Sequence, residues 1–164
     1  MFVVFAGLPG VGKSVLSRAS ADALGATYLR VDSIEAAVAT HLAPFEDNPV
    51  GYFVAGAVAS DQLRSGRSVV LDAVNDVELA RQGWVDLGTS FGSTPRFVEV
   101  VCTDADEHRR RVEGRSAEMP GHAVPTWEQV QRRPYEAWRH ERLVVDNVGP
   151  PEPNVARILA WLAS

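Results

Sequence analysis

Gly7-Leu8-Pro9-Gly10-Val11-Gly12-Lys13-Ser14 decides the fold. The octet meets the pattern G-x-x-x-x-G-K-[ST] at every fixed position. It lies between a near-continuous apolar run at 2–6 and a stretch at 13–24 whose Val15, Leu16, Ala19, Ala23 and Leu24 recur at helical spacing. A strand that enters a helix through small residues lets successive backbone N–H groups turn inward around an anion, and the helix N-terminus adds its positive end. The stretch therefore predicts a phosphate cradle formed by Gly7, Leu8, Pro9, Gly10, Val11, Gly12, Lys13 and Ser14, with Lys13 bridging phosphates and Ser14 ligating Mg²⁺. A dinucleotide fingerprint needs G-x-G-x-x-G, and the spacing of Gly7, Gly10 and Gly12 does not supply it.

Outward from the loop, short apolar runs alternate with longer amphipathic stretches, the pattern of strand-helix units around a parallel sheet. Strands are predicted over 2–6, 27–31, 68–71, 96–102 and 143–146. The second runs into Asp32 and Ser33, with a helix from Ile34, and the third runs into Asp72. The segment 41–50 carries Pro44, Asp47, Asn48 and Pro49 and reads as a loop or broken helix. Helical spacing resumes over 52–65 and stops at Gly66; Ala80, Trp84 and Leu87 mark another helix, ended by Gly88. A charged helix over 104–115 carries arginines at 109, 110, 111 and 115, which sets Arg111 and Arg115 one turn apart on one face. Thr126 and Gln129 form a capping box for a short helix interrupted by Pro134, and Val155, Ile158, Leu159 and Leu162 mark the closing helix. The expectation is one α/β domain over 1–164, a three-layer fold with a five-stranded parallel sheet, helices on both faces and a small lid over about 112–134. The second strand is expected beside the first, so that Asp32 faces the cradle across the crevice.

The 164 residues suit one domain, and 46% hydrophobic with 23% charged residues is an average globular composition. No apolar run is long enough for a membrane helix, and no basic segment precedes the first apolar run, so a cytoplasmic location is expected. Cys102 is alone, which excludes an intrachain disulfide, and is expected inside a buried strand. A net charge of -5 argues against a general nucleic-acid binder. Fifteen of the sixteen basic residues are arginines, leaving Lys13 as the one lysine. His41, His108, His122 and His140 lack ligand-like spacing, so Mg²⁺ is the one metal expected.

With a single lysine the chain cannot hold the Asn-Lys-x-Asp motif of signalling GTPases, and it is too short for motor-type ATPases. The whole chain resembles the small P-loop kinases that phosphorylate hydroxyls: chloramphenicol phosphotransferase, gluconate kinase, zeta-toxin-like kinases and the kinase domain of polynucleotide kinase. The resemblance rests on the loop, on Leu29-Arg30-Val31-Asp32-Ser33, on Val70-Leu71-Asp72-Ala73-Val74-Asn75 and on Arg111 and Arg115. It implies a P-loop NTPase fold, ATP as phosphoryl donor, Asp32 as the base and Arg111 with Arg115 as lid arginines over the transferring group. Asp32 can also be a helix cap, and Asp72 can hold Mg²⁺ through water, orient substrate or cap a helix. Arg109 and Arg110 read as a solvated face. Trp127 and Trp138, with Tyr135 between, read either as a clamp for a flat substrate or as lid packing.

Polynucleotide kinases typically carry Arg three residues after the Asp, where this chain has Glu35. That departure and the acidic net charge argue against a nucleic-acid 5′-hydroxyl. Asp32-Ser33-Ile34-Glu35-Ala36 resembles the drug-modifying kinases, which implies a small neutral acceptor such as an antibiotic, sugar or nucleoside, lying between Asp32 and the segment 40–52; a monomer or homodimer is expected. A polynucleotide or nucleotide 5′-hydroxyl kinase, and a regulatory ATP-binding protein without an acceptor, are the alternatives.

Overall fold

The structure is a computed structural model and describes residues 1–41, 49–116 and 124–164. Five strands, β1 (Phe2–Ala6), β2 (Thr27–Arg30), β3 (Val69–Asp72), β4 (Arg96–Val101) and β5 (Arg142–Asp146), form one parallel sheet in the order β2-β3-β1-β4-β5. The helices are α1 (Lys13–Leu24), α2 (Val31–His41), α3 (Val50–Arg64), α4 (Glu78–Ser90), α5 (Ala105–Glu113), α6 (Trp127–Arg132) and α7 (Glu152–Leu162).

The period-2 alternation of strand side chains builds two cores. From β1, Phe2 and Val4 point to the face where Val69, Leu71 and Phe97 meet Ala55, Ala59 and Trp84 of α3 and α4. Val3 and Phe5 point to the other face, with Val70, Val98, Val100 and Val145, under Leu16 of α1 and Ile158 and Leu162 of α7. All five β1 residues are buried, as a central strand covered on both sides requires. The sheet is thereby the floor from which the loop after β1 emerges, at the point where neighbouring chain connections diverge.

Several sequence expectations are corrected. β2 lies beside β3, not β1: Thr27 pairs with Val69, which also faces Phe2, so β3 is inserted between them. β2 ends at Arg30, and Val31, expected as the last residue of that strand, is the first residue of α2 and buried. Asp32 therefore sits inside the first turn of α2, where a carboxylate complements the helix dipole, and is not the cap of a helix starting at Ile34. Gly88 does not end α4, which continues to Ser90; a Cβ on Gly88 would stand 2.3 Å from the Ser93 carbonyl, so this glycine admits a close loop. Cys102 lies just past β4, half-buried, with its thiol 3.5 Å from the Asp104 carbonyl. α5 stops at Glu113, capped by Gly114, so Arg115 is outside the helix that carries Arg111. The Thr126–Gln129 capping box is present in both halves.

Candidate active site

The loop after β1 is shaped by glycine and clamped from outside. Gly10 and Gly12 each have φ of 87°, a left-handed conformation that costs other residues energy. Neither has room for a side chain, since a Cβ on Gly10 would lie 2.4 Å from Val112 and one on Gly12 2.2 Å from the Asn147 amide. The loop's carbonyls are held individually: His108 Nε2 is 2.8 Å from the Pro9 oxygen, and the Asn147 amide donates to the Val11 oxygen at 2.9 Å. Arg111 Nη1 donates to the Asn147 oxygen at 2.8 Å and the Val11 oxygen at 3.4 Å, while its Nε donates to Glu107 at 2.8 Å. With carbonyls so engaged from outside, the loop is free to turn its N–H groups inward.

Beneath the loop lies a buried charge network. Lys13 Nζ is 3.4 Å from Asp72 Oδ1, and the two side chains are 6% and 1% exposed. Asp72 also accepts from Tyr28 Oη at 2.7 Å. Burial alone pushes the Asp72 carboxyl up, but Lys13, Ser14, Tyr28 and Arg30 outweigh it and hold it below its ordinary range. Burial and the Asp72 charge push the Tyr28 hydroxyl up to about 12, so it stays a donor.

Two cavities open above this network. One, of about 290 Å³, is lined by Pro9, Gly10, Gly12, Lys13, Ser14, Val15, Asp32, Val74, Arg111 and Arg115. The other, of about 760 Å³, reaches from Asp32 and Glu35 of α2 and Tyr52 of α3 across to Val124, Pro125 and α6. Pro9, Asp32, Val74 and Arg115 line both, so the cavities meet at one carboxylate and one guanidinium. The Asp32 carboxylate is 3.5 Å from Arg30 Nη2 and 21% exposed, open to whatever occupies the junction.

The predicted site residues divide accordingly. Pro9, Gly10, Gly12, Lys13, Ser14, Asp32, Arg111 and Arg115 converge on the smaller cavity. Leu8 and Val11 instead pack into the core beneath α1, so within the octet their side chains serve packing, and Gly7 sits below the loop beside Val100. Asp72 lines neither cavity; it stands behind Lys13 and Ser14. Arg109 and Arg110 are exposed and paired with Glu113 and Glu107.

Of the two readings of the aromatic residues, packing is the one the structure has. Trp138 meets Phe97 edge-on at 5.5 Å and donates to Glu99 at 2.9 Å, Trp127 meets His108 edge-on at 5.0 Å, and neither lines either cavity. Arg81, fully buried, runs between the aromatic residues, with its guanidinium over Trp138 at 4.1 Å and over Tyr135 at 5.3 Å. It donates to the carbonyls of Asn75, Asp76, Glu136 and Ala137 and so ties the chain after α6 to the chain after β3. Tyr52 closes the segment expected beside the acceptor, whereas Arg81, Arg133 and Asn147 were not expected from the sequence. Only Asn147 carried a usable signal, since it directly follows the carboxyl end of a strand, where α/β folds build their sites. The expected acceptor segment 40–52 lies partly outside the described residues, as do His122 and part of the expected lid.

A glycine-lined, lysine-bearing loop at the end of the central strand of this five-stranded parallel sheet is the arrangement of the P-loop NTPase fold. The chain belongs to the AAA domain family, which matches residues 2–134. No curated protein matches the sequence. Among solved structures, the chain is similar to a candidate kinase from Chloroflexus aurantiacus j-10-fl, at a TM-score of 0.81 and 22% identity over 99% of this chain and 96% of that one. It is similar to a gluconokinase from Sinorhizobium meliloti 1021, at 0.64 and 23% over 98% and 90%. It is also similar to Kti12 from Chaetomium thermophilum, solved with ADP-AlF3, at 0.74 and 17% over 99% and 97%. At these identities the likeness is one of fold.

Proposed function

We propose that the protein is an ATP-dependent phosphotransferase that moves the γ-phosphoryl group of ATP to a hydroxyl of a small molecule. The observation that carries this reading is the junction: Asp32 and Arg115 border both a cavity floored by Lys13 and Ser14 and a second, larger cavity suited to an acceptor. A regulatory ATP-binding protein has no need of that second cavity. In this reading the chain is a single domain whose segment 112–134 covers the acceptor, and the described part of that segment, Val124, Pro125 and α6, walls the larger cavity.

The residues fit ATP with Mg²⁺. A loop whose Pro9 and Val11 carbonyls are held from outside can turn its N–H groups to phosphate oxygens, and Ser14 with the Asp72 carboxylate behind it supplies the hard oxygens a divalent cation takes. Mg²⁺, when bound, would neutralise the phosphate oxygens and draw charge toward the leaving group. Lys13, held by Asp72, presents its ammonium to the phosphates. The acceptor hydroxyl oxygen forms a bond to the γ-phosphorus as the bridging bond to the β-phosphate breaks, leaving ADP, and Asp32 takes the hydroxyl proton. Arg115 offsets charge on the transferring group and, with the α6 side, keeps water out. Arg111 is held by the Val11 and Asn147 carbonyls, so its part is to fix the loop and the nucleotide it carries.

The test is incubation with ATP, Mg²⁺ and a broad alcohol library, scored by mass spectrometry for a gain of about 80 Da, the mass of HPO₃. Products that vanish in Asp32→Asn support the assignment. ATP binding with no product from any hydroxyl compound overturns it.

A further inference from the structure

The larger cavity contains three acids, Asp32, Glu35 and Glu128, and three arginines, Arg115, Arg132 and Arg133. The arginines of its far wall are already paired. Arg132 lies 2.7 Å from Glu128, and Arg133 Nε donates to Asp76 at 2.5 Å. Arg115 belongs to the junction, where the transferring phosphoryl group would engage it. The near wall is different. Glu35 makes no hydrogen bond or ion pair with any described residue, although it is half-buried and lines the cavity. Its side chain is fixed rather than loose: it packs on Gly51 of α3, where a Cβ would come within 2.4 Å of Glu35 Cγ. Glu35 stands three residues after Asp32 on α2, which sets their Cβ atoms about 5–6 Å apart on one face.

We propose that the acceptor is an amino alcohol, whose ammonium group is received by Glu35 while a hydroxyl a few bonds away faces Asp32. The inference rests on the phosphotransferase reading and adds the acceptor's charge to it. Arg30 already pairs with Asp32, so a neutral polyol would leave Glu35 alone without a cation, whereas an ammonium gives it a charge-assisted hydrogen bond, about twice as strong as a neutral one. Burial, followed by the Asp32 charge, pushes the Glu35 carboxyl up to about 7, with Arg133 opposing. The pocket thus resists a second negative charge until a cation accompanies it. The other titratable groups there are committed: Asp76 holds Arg133, and the Tyr52 hydroxyl accepts from the Asn75 N–H at 3.3 Å. The small neutral acceptor implied by the sequence resemblance is replaced by a cationic one of similar size.

The test is a paired library. Amino sugars and amino alcohols are each offered beside the N-acetyl derivative and the deamino analogue, with glucosamine, N-acetylglucosamine and glucose as one trio, under ATP and Mg²⁺. The expected result is phosphorylated product from amine members, with kcat/KM about 10-fold or more above their neutral partners. Glu35→Gln should reduce that preference to a few-fold, chiefly by raising the amine's KM while kcat changes little. Binding of a selected amine to wild-type protein should release protons at pH 6.5, read as buffer-dependent heat in calorimetry. Equal or better use of the neutral partners by folded wild-type protein overturns the amino-alcohol inference and leaves the phosphotransferase standing. ATP binding without product from either half of the library overturns the phosphotransferase reading, and this inference with it.

Discussion

Lys13 and Asp72 form a buried ion pair, with Nζ and Oδ1 3.4 Å apart, between the loop after β1 and the last residue of β3. The lysine proposed to meet the nucleotide is therefore also a structural partner. Lys13→Ala should abolish ATP binding in calorimetry and, by leaving Asp72 short of one partner, lower unfolding stability by about 1–3 kcal/mol. Unchanged stability would mean that Tyr28, Ser14 and Arg30 suffice for Asp72.

The same pair sets the acid limit of the fold. Asp72 has its carboxyl held below the ordinary value of 3.8, so its stabilisation is present above that value and is lost as pH falls through the lower folded value. Acid titration monitored by circular dichroism should show wild type losing more of its pH 7 stability on acidification than Asp72→Asn, which has no carboxylate to protonate. The reverse order would contradict the assigned direction.

Glu35 has the opposite sign. Its folded carboxyl is pushed from 4.5 to about 7, so folding favours the protonated form, and stability falls as pH rises through that window. Glu35→Gln should melt like wild type near pH 4.5 and at a higher temperature at pH 8. Thermal scans at the two pH values check it, and equal melting at both would show that Glu35 is not shifted.

Arg111 and Arg115 should separate kinetically. Arg111 is tied to Val11, Asn147 and Glu107, whereas Arg115 borders both cavities. Arg115→Ala should lower kcat by about 10²-fold or more with ATP affinity nearly kept, because its contact strengthens in the transition state. Arg111→Ala should weaken ATP binding in calorimetry at least as much as it lowers kcat. Equal profiles for the two variants would contradict the division.

Asp32→Asn preserves shape and removes the proton acceptor. ATP binding should stay near wild type while transfer falls about 10²-fold or more. Calorimetry and acceptor phosphorylation on one preparation check it, and transfer within a few-fold of wild type would leave Asp32 as a helix-terminus carboxylate only.

The loop, the five strands and the two-sided core were legible because they depend on local signals: fixed glycine spacing, runs of apolar residues and helical periodicity. Asp32 was found for a partly mistaken reason. Its neighbour Val31 has strand propensity, yet the tertiary packing of α2 claims it, and no local signal reveals that β3 is inserted between β1 and β2. Arg111 and Arg115 looked like one helical face because arginine does not stop a helix; the break comes from the cap at Gly114. Arg81 was invisible because a charged residue on a helix is read as solvated, and what buries it is a chain segment about 55 residues away in sequence.

Arg81 has a wider consequence. Its guanidinium grips the backbone on both sides of the gap between 75–76 and 136–137, and His108 with Trp127 pins the chain at the other end of α6. The stretch 124–133 is thus clipped through its own Trp127 and, just beyond it, by Arg81, while Val124, Pro125, Glu128, Gln129, Arg132 and Arg133 line the larger cavity. Such a stretch is an exchangeable cassette: its cavity-lining residues can be rewritten to suit a different acceptor without disturbing the sheet, the phosphate loop, Trp127 or Arg81.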